Sequence, residues 1–212
     1  MPPPTLLELF SGSGSISEAF REHGWHTITL DSDPRCGADI QMSILDFQPS
    51  AHLISSIPKG SKIDLVWASP LCTYYSTFRR NRGPPTAEQL EFADSLVRKA
   101  VQLAQELQCP ILLENPWTGE LKNRGIPELL ELKMCRVDYC RYGYPHRKRT
   151  GIWTDTSWQP ARPLCKYDCP GSSIDPVTRR KKHAANWDRM PQKGRAVIPW
   201  ALCEEIAAHF SR

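Results

Sequence analysis

Cys72 and Glu114 each stand at the end of an apolar run, the thiol after DLVWASPL and the carboxyl inside CPILLENP. These are the side-chain types of covalent and acid–base chemistry. A cysteine packed as a small hydrophobe belongs inside such a run, whereas Cys72 follows Pro70 by two residues and precedes polar TYYS. That placement reads as a nucleophile presented at the mouth of a pocket. Glu114 taken alone also reads as a salt-bridge partner at a strand end. A third feature is ELFSGSG, a glycine turn of the type that lets backbone approach a nucleotide-like ligand. Asp31 closes the following run, HTITL, where a carboxylate can accept hydrogen bonds from ribose hydroxyls. Asp46, one strand further at the end of the short run in ILDF, is placed to hold an adenine amino group. Helix capping and turn formation are the alternative uses of both aspartates.

The elements that must position these groups alternate. TLLELF predicts a strand, SISEAFREHG a helix with Ser15 and Glu18 in capping-box register, and HTITL and IDLVWAS further strands. Residues 86–108 carry apolar groups at helical spacing, from Leu90 through Leu107, and CPILLENP predicts a buried strand stopped by Pro116. PELLEL predicts a short helix, CRVDYC and RTGIWTD strands, and IPWALCEEIAAHF a closing amphipathic helix with proline near its start. Alternation of this kind predicts an α/β fold, a mainly parallel twisted sheet with helices on both faces and ligands at the strands' carboxyl ends. Residues 156–195, rich in proline, basic residues and tryptophan, lack periodicity and predict a small irregular insertion. The organisation expected is therefore 1–155 as the main domain, 156–195 as the insertion and 196–212 as a helix completing the main domain.

A chain of 212 residues, 40% apolar and 24% charged, suits one domain with a full core and excludes wholesale disorder. The net charge of +4 is concentrated in RRNR at 79–82, RYGYPHRKR at 141–149 and RRKKH at 179–183, which suits a polyanion or a solvated face. Nothing resembles a signal peptide or a membrane span, so an intracellular location is expected. The eight cysteines are then expected to be free, metal-bound or catalytic.

Five stretches, in order, resemble the motifs of the cytosine-5 DNA methyltransferase family: LELFSGSGSISEAF, SPLC, ENP, YGYPHRKRTGIW and GRAVIPWALCEEIAAHF. Leu71 and Thr73 stand where the family usually has proline and glutamine around its cysteine, and His146 where it usually has glutamine. The resemblance implies a Rossmann-like class I methyltransferase fold and S-adenosylmethionine as methyl donor. It implies Cys72 as nucleophile, Glu114 as acid, Asn115 fixing their geometry and Arg149 touching the target base. Ser11, Gly12 and Gly14 would line the donor, with Phe10, Trp67 and Pro70 packed beside it and Asp31 and Asp46 on its ribose and adenine. It further implies double-stranded DNA as partner and base flipping. Tyr74, Tyr75, Ser76, Arg79, Arg80 and Arg82 of the loop, with Arg147 and Lys148, would then contact the duplex. The basic groups of 147–149 would also lower the thiol pKa.

The segment at 156–195 is shorter than the recognition region usual in the family, which implies short or relaxed readout, by a monomer or with an additional recognition subunit. Within it Cys165, Cys169 and His183 are spaced C-x3-C-x13-H. Structural zinc takes four ligands, so a fourth would come from Cys140, Cys135 or elsewhere, and free thiols beside a surface histidine are the alternative. RNA, tRNA above all, is the competing substrate, and a catalytically silent binding module the competing class.

Overall fold

Leu7 and Leu9 of β1 (Thr5–Leu9) face one side of the sheet and Leu6 and Glu8 the other, the two-residue period of a pleated strand. The pattern recurs in β2 (His26–Asp31), β4 (Leu65–Ala68) and β5 (Ile111–Pro116). Ile28, Leu30, Val66, Ala68, Ile111 and Leu113 join the first face, and Leu65, Trp67 and Leu112 the second. With both faces apolar the sheet needs cover on both sides. Helix α3 (Ala87–Glu106) covers the first, and α1 (Ser15–Glu22), packed on α5 (Trp200–Phe210), covers the second. Two short helices, α2 (Pro49–His52) and α4 (Pro127–Leu130), complete the set named here. The structure is a computed structural model describing residues 2–54, 56–76, 83–183 and 197–211.

The strand order is β3-β2-β1-β4-β5-β7-β6, with β3 at Ile40–Gln41, β6 at Lys133–Asp138 and β7 at Arg149–Thr154. All neighbours are parallel except β7, which runs antiparallel between β5 and β6. From β1 the chain builds outward first through β2 and then through β4. The switch point of this Rossmann-like sheet therefore lies at the carboxyl ends of β1 and β4, where an α/β sheet opens a crevice for ligands. The glycine turn and the Cys72 loop both leave from that edge.

Three local expectations are corrected. Ser15 is the first residue of α1, whose N-cap is Gly14 in the left-handed region (φ 69°), so Ser15 and Glu18 form no capping box. The reciprocal box forms instead at α3, between Thr86 and Gln89. ILDF is a turn after the two-residue β3, and Asp46 on it is exposed rather than closing a strand. Within the insertion, β8 (Ser172–Ile174) and β9 (Lys181–His183) pair as an antiparallel hairpin, so the segment is not wholly irregular.

The open amide of α1 is satisfied from the sheet, where the buried Glu8 carboxylate accepts a 3.0 Å hydrogen bond from Ser17 N. Burial lifts the Glu8 carboxyl from 4.5 to about 7 against the hydrogen bonds from Ser17. The folded state thus binds this proton more tightly than the unfolded chain. Its contribution is complete below the unfolded value of 4.5 and is lost as pH rises towards 7. Above that, burial of the charge costs about 3 kcal/mol. Glu8→Gln keeps an acceptor and abolishes the titration. Its urea midpoint should exceed that of the wild type at pH 8 by more than at pH 5, and equal offsets at the two pH values would remove this account.

Candidate active site

The loop after β4 is clamped on either side of Cys72. On one side Asn115, fully buried in β5, donates from Nδ2 to the Pro70 carbonyl at 3.0 Å. On the other, Tyr75 N donates to the Cys72 carbonyl at 3.1 Å, and the Tyr75 ring is buried with its hydroxyl donating to Asp94 Oδ1 at 2.8 Å. Asp94 also pairs with Arg124, whose Nε and Nη2 donate to Oδ2 at 3.0 and 2.6 Å. Glu120 N donates to the Tyr75 carbonyl, and a Cβ at Gly119 would lie 3.2 Å from that oxygen, so the close approach favours glycine. Tyr75 therefore belongs to the core, and of the two tyrosines expected to reach nucleic acid Tyr74 is the more exposed, half-buried. Asp94→Ala would strand the Tyr75 hydroxyl and a partly exposed Arg124. A loss of about 2 kcal/mol in denaturant unfolding is expected, and a change under about 0.5 kcal/mol would show that the clamp contributes little.

Opposite the loop, Glu114 is buried near the end of β5. Its Oε1 accepts from the Tyr139 hydroxyl at 3.0 Å and from Lys148 Nζ at 3.3 Å. Among the described residues Oε2 has no hydrogen-bond partner. Lys148 Nζ also lies 4.7 Å from the Tyr139 ring centroid, so the two side chains that hold this carboxylate oxygen also touch each other. Burial first, then the Glu114 charge, pushes the half-buried Cys72 thiol up, with Lys148 opposing. The expectation that neighbouring cations lower the thiol is thus corrected: Lys148 acts in that sense and is outweighed.

The basic run at 147–149 divides by partner. Arg147 donates to Asp138 Oδ2 at 3.1 Å and to the Cys165 carbonyl at 2.7 Å, and Lys148 is taken by Glu114. Among the described residues the Arg149 side chain has no hydrogen-bond or ion-pair partner; it opens β7, with its carbonyl accepting from Trp117 N. Ser76 ends the described part of the loop, and Arg79, Arg80 and Arg82 lie outside the described residues. A cavity of about 540 Å³ between the loop and α3, lined by Tyr74, Ser76, Pro85, Leu90 and Arg124 among others, includes neither Cys72 nor the glycine turn.

The glycine turn carries three left-handed residues, Phe10 (φ 57°), Gly12 (φ 51°) and Gly14 (φ 69°). Gly14 N donates to the Ser11 carbonyl at 2.7 Å, and Asp31 Oδ2 accepts from Gly12 N at 2.9 Å. Asp31 Oδ1 accepts from Asp33 N, so this carboxylate shapes the turn it was expected to serve. Trp67 is buried, its indole N–H donating to Ser69 Oγ at 2.8 Å. Cys165, Cys169 and His183 converge, and Cys140 joins them. Cys135 instead lies near Gln159 Oε1, at 3.5 Å.

No protein-family model matches the chain. A curated relative, "Probable DNA (cytosine-5)-methyltransferase" of Frog virus 3 (isolate Goorha), is 32% identical over 195 residues, 86% of each chain. The chain belongs to the cytosine-5 methyltransferase family. Among solved structures, S. pombe Dnmt2 methyltransferase aligns with a TM-score of 0.49 and 14% identity over 74% of this chain. The alignment covers 52% of that protein, so this methyltransferase spans about half its length.

Membership in the family implies S-adenosylmethionine, and the turn of this methyltransferase fits such a group. A Cβ built at Gly14 meets nothing within 4 Å, so the turn leaves free space above a backbone that only glycine adopts readily. Tyr139, Asp94 and Asp138 are site or support residues that sequence reasoning missed. Only a polar group within or beside an apolar run marks them, a signal too common to single them out. No helix among the described residues is long and apolar enough to cross a membrane.

Proposed function

We propose that the protein methylates carbon 5 of cytosine in double-stranded DNA through a covalent adduct with Cys72. The observation that supports this most is that Glu114, near the carboxyl end of β5, lies close enough to Cys72, after β4, for its charge to act on the thiol, with the cysteine loop and the carboxylate each held by its own hydrogen bonds. DNA rather than RNA follows the description of the viral relative.

Once its proton has passed to solvent, Cys72 adds as the thiolate to carbon 6 of the base, and the electron pair of the 5,6 double bond becomes available at carbon 5. With Oε1 held by Tyr139 and Lys148, Glu114 Oε2 is left for ring nitrogen 3 and the amino group, where a shared proton spreads the developing charge. S-adenosylmethionine supplies an electrophilic methyl group, for which Ser11, Gly12 and Gly14 form the cradle, Phe10, Trp67 and Pro70 the flank, and Asp31 and Asp46 the sugar and adenine contacts. A base then takes the carbon 5 proton, the double bond reforms and the thiolate leaves. Asn115 keeps the Pro70 carbonyl, and with it the cysteine loop, in register with Glu114. Arg149, the cation of 147–149 without a hydrogen-bond or ion-pair partner among the described residues, is left for the base or its phosphate. A paired cytosine lies beyond reach of such a site, so the base is flipped, with Tyr74 and Ser76 beside the gap and Arg79, Arg80 and Arg82 on the backbone.

Tritiated methyl transfer from S-adenosylmethionine to duplex DNA, single-stranded DNA and tRNA, run in parallel, tests this reading. Label in 5-methylcytosine of the duplex is expected. Label confined to tRNA would move the substrate to RNA, and no label on any of the three would indicate a silent module.

A further inference from the structure

Trp158 packs the start of the insertion into the core, but from Gln159 to His183 the only buried residues are Cys165 and Cys169, so no buried apolar side chain holds that stretch to the sheet. Their company is not apolar either, since with Cys140 they make a separate buried cluster of three free thiols. His183, the last residue of β9, closes it. Its Nε2 lies 3.3 Å from Cys165 Sγ and 3.1 Å from Cys169 Sγ, and one ligand atom from each of the four residues falls within 4.8 Å of the others. Tetrahedral zinc with bonds of about 2.3 Å to sulfur and about 2.0 Å to nitrogen separates its ligand atoms by roughly 3.5–3.8 Å. The cluster needs only slight adjustment to reach that spacing.

We propose that Cys140, Cys165, Cys169 and His183 form a closed structural zinc site that fastens the insertion to the catalytic sheet. The surroundings are those of thiolate ligands. Tyr167 N donates to Cys165 Sγ at 3.3 Å, and Ser172 Oγ lies 3.3 Å from Cys169 Sγ. Gly171 lets the ligand loop close on the sheet side, because a Cβ there would come within 2.9 Å of the Pro145 carbonyl oxygen. Asp138 accepts from Cys165 N at 2.9 Å and from Arg147, which reaches on to the Cys165 carbonyl. Three thiolates and a neutral imidazole around a divalent ion leave one negative charge, beside which the Arg147 guanidinium, shared with Asp138, supplies a nearby positive charge.

Two consequences follow from where the ligands lie. Cys140 is the neighbour of Tyr139, whose hydroxyl bonds Glu114, so the ion pins the turn that orients the acid. His183 ends the hairpin that carries exposed Arg179, Arg180, Lys181 and Lys182, so the same ion sets where that basic element stands. This role holds whatever the enzyme's nucleic-acid substrate is, and metal content reads it without any methyl transfer.

Full-length protein, expressed without supplementary zinc and desalted, is analysed by inductively coupled plasma mass spectrometry. About one zinc per chain is expected, lost in Cys140→Ser and Cys169→Ser and unchanged in Cys36→Ser, a cysteine outside the cluster. His183→Cys, which preserves four ligands, is expected to keep the ion even if the serine variants fold poorly. Cobalt exchanged into the wild type should give tetrahedral ligand-field and thiolate charge-transfer bands. Chelation should raise hydrogen exchange in 139–142 and 172–183 together. Wild type without stoichiometric metal, zinc retained in both serine variants, or cobalt without thiolate bands would each overturn the site.

Discussion

Cys72→Ser is expected to reduce methyl transfer to background and to abolish the adduct that wild type traps on a duplex carrying 5-fluorocytosine. Fluorine at carbon 5 cannot leave as a proton does, so the sulfur–carbon 6 bond persists and is seen as a denaturation-resistant shift on a gel. A serine hydroxyl in the same place is far less acidic and is not ionised under these conditions. The substitution is small and the loop is held from both sides, by Asn115 at Pro70 and by Asp94 at Tyr75, so thermal unfolding should change little. Trapping that survives the substitution would put the nucleophile elsewhere in the chain.

Glu114→Gln separates two roles of one carboxyl by moving two readouts in opposite directions. Methyl transfer is expected to fall by about 100-fold or more, since the amide cannot share a proton with ring nitrogen 3. Alkylation of Cys72 by iodoacetamide, followed by mass spectrometry of its peptide, is expected to become faster. The sign follows from the causes acting on the thiol: burial and the Glu114 charge both raise it, so removing that charge lowers it and enlarges the thiolate fraction at a given pH. Lys148→Met should act the other way, slowing alkylation, because the opposing cation is gone. In all three proteins alkylation should accelerate with rising pH, with the Glu114→Gln profile displaced to lower pH and the Lys148→Met profile to higher. A Glu114→Gln enzyme with full transfer would remove Glu114 from the acid role, and alkylation profiles that coincide would remove its charge as a cause acting on the thiol.

The strands that present Cys72, Glu114 and the glycine turn were legible because each is a local pattern. An apolar run of strand length ends in a polar group, a glycine turn is followed by a helical period, and the order of such pieces already implies a parallel sheet. The α1 capping box failed for a reason local reading could not reach. The helix starts one residue early, so the amide the box would have served, Glu18 N, donates to the Gly14 carbonyl, and the first-turn amide of Ser17 is taken by Glu8 from the sheet, nine residues before it in the chain. Asp31 shows the reverse, a group whose position was legible while its partner, the turn's own Gly12 amide, was not.

What the sequence determined by itself was the inventory of strands and helices and the chemical character of their ends, because side-chain periodicity and turn residues act over a few positions. What only the tertiary structure decided was partnership. Insertion of antiparallel β7 between β5 and β6 brings Lys148 and Tyr139 onto Glu114, and packing against α3 draws Tyr75 into the core through Asp94. The fold of the insertion back onto the turn after β6 completes three ligands with Cys140. Contacts of this kind are set by which strands lie side by side and by what burial leaves unpaired, and neither is written in the spacing of residues along the chain.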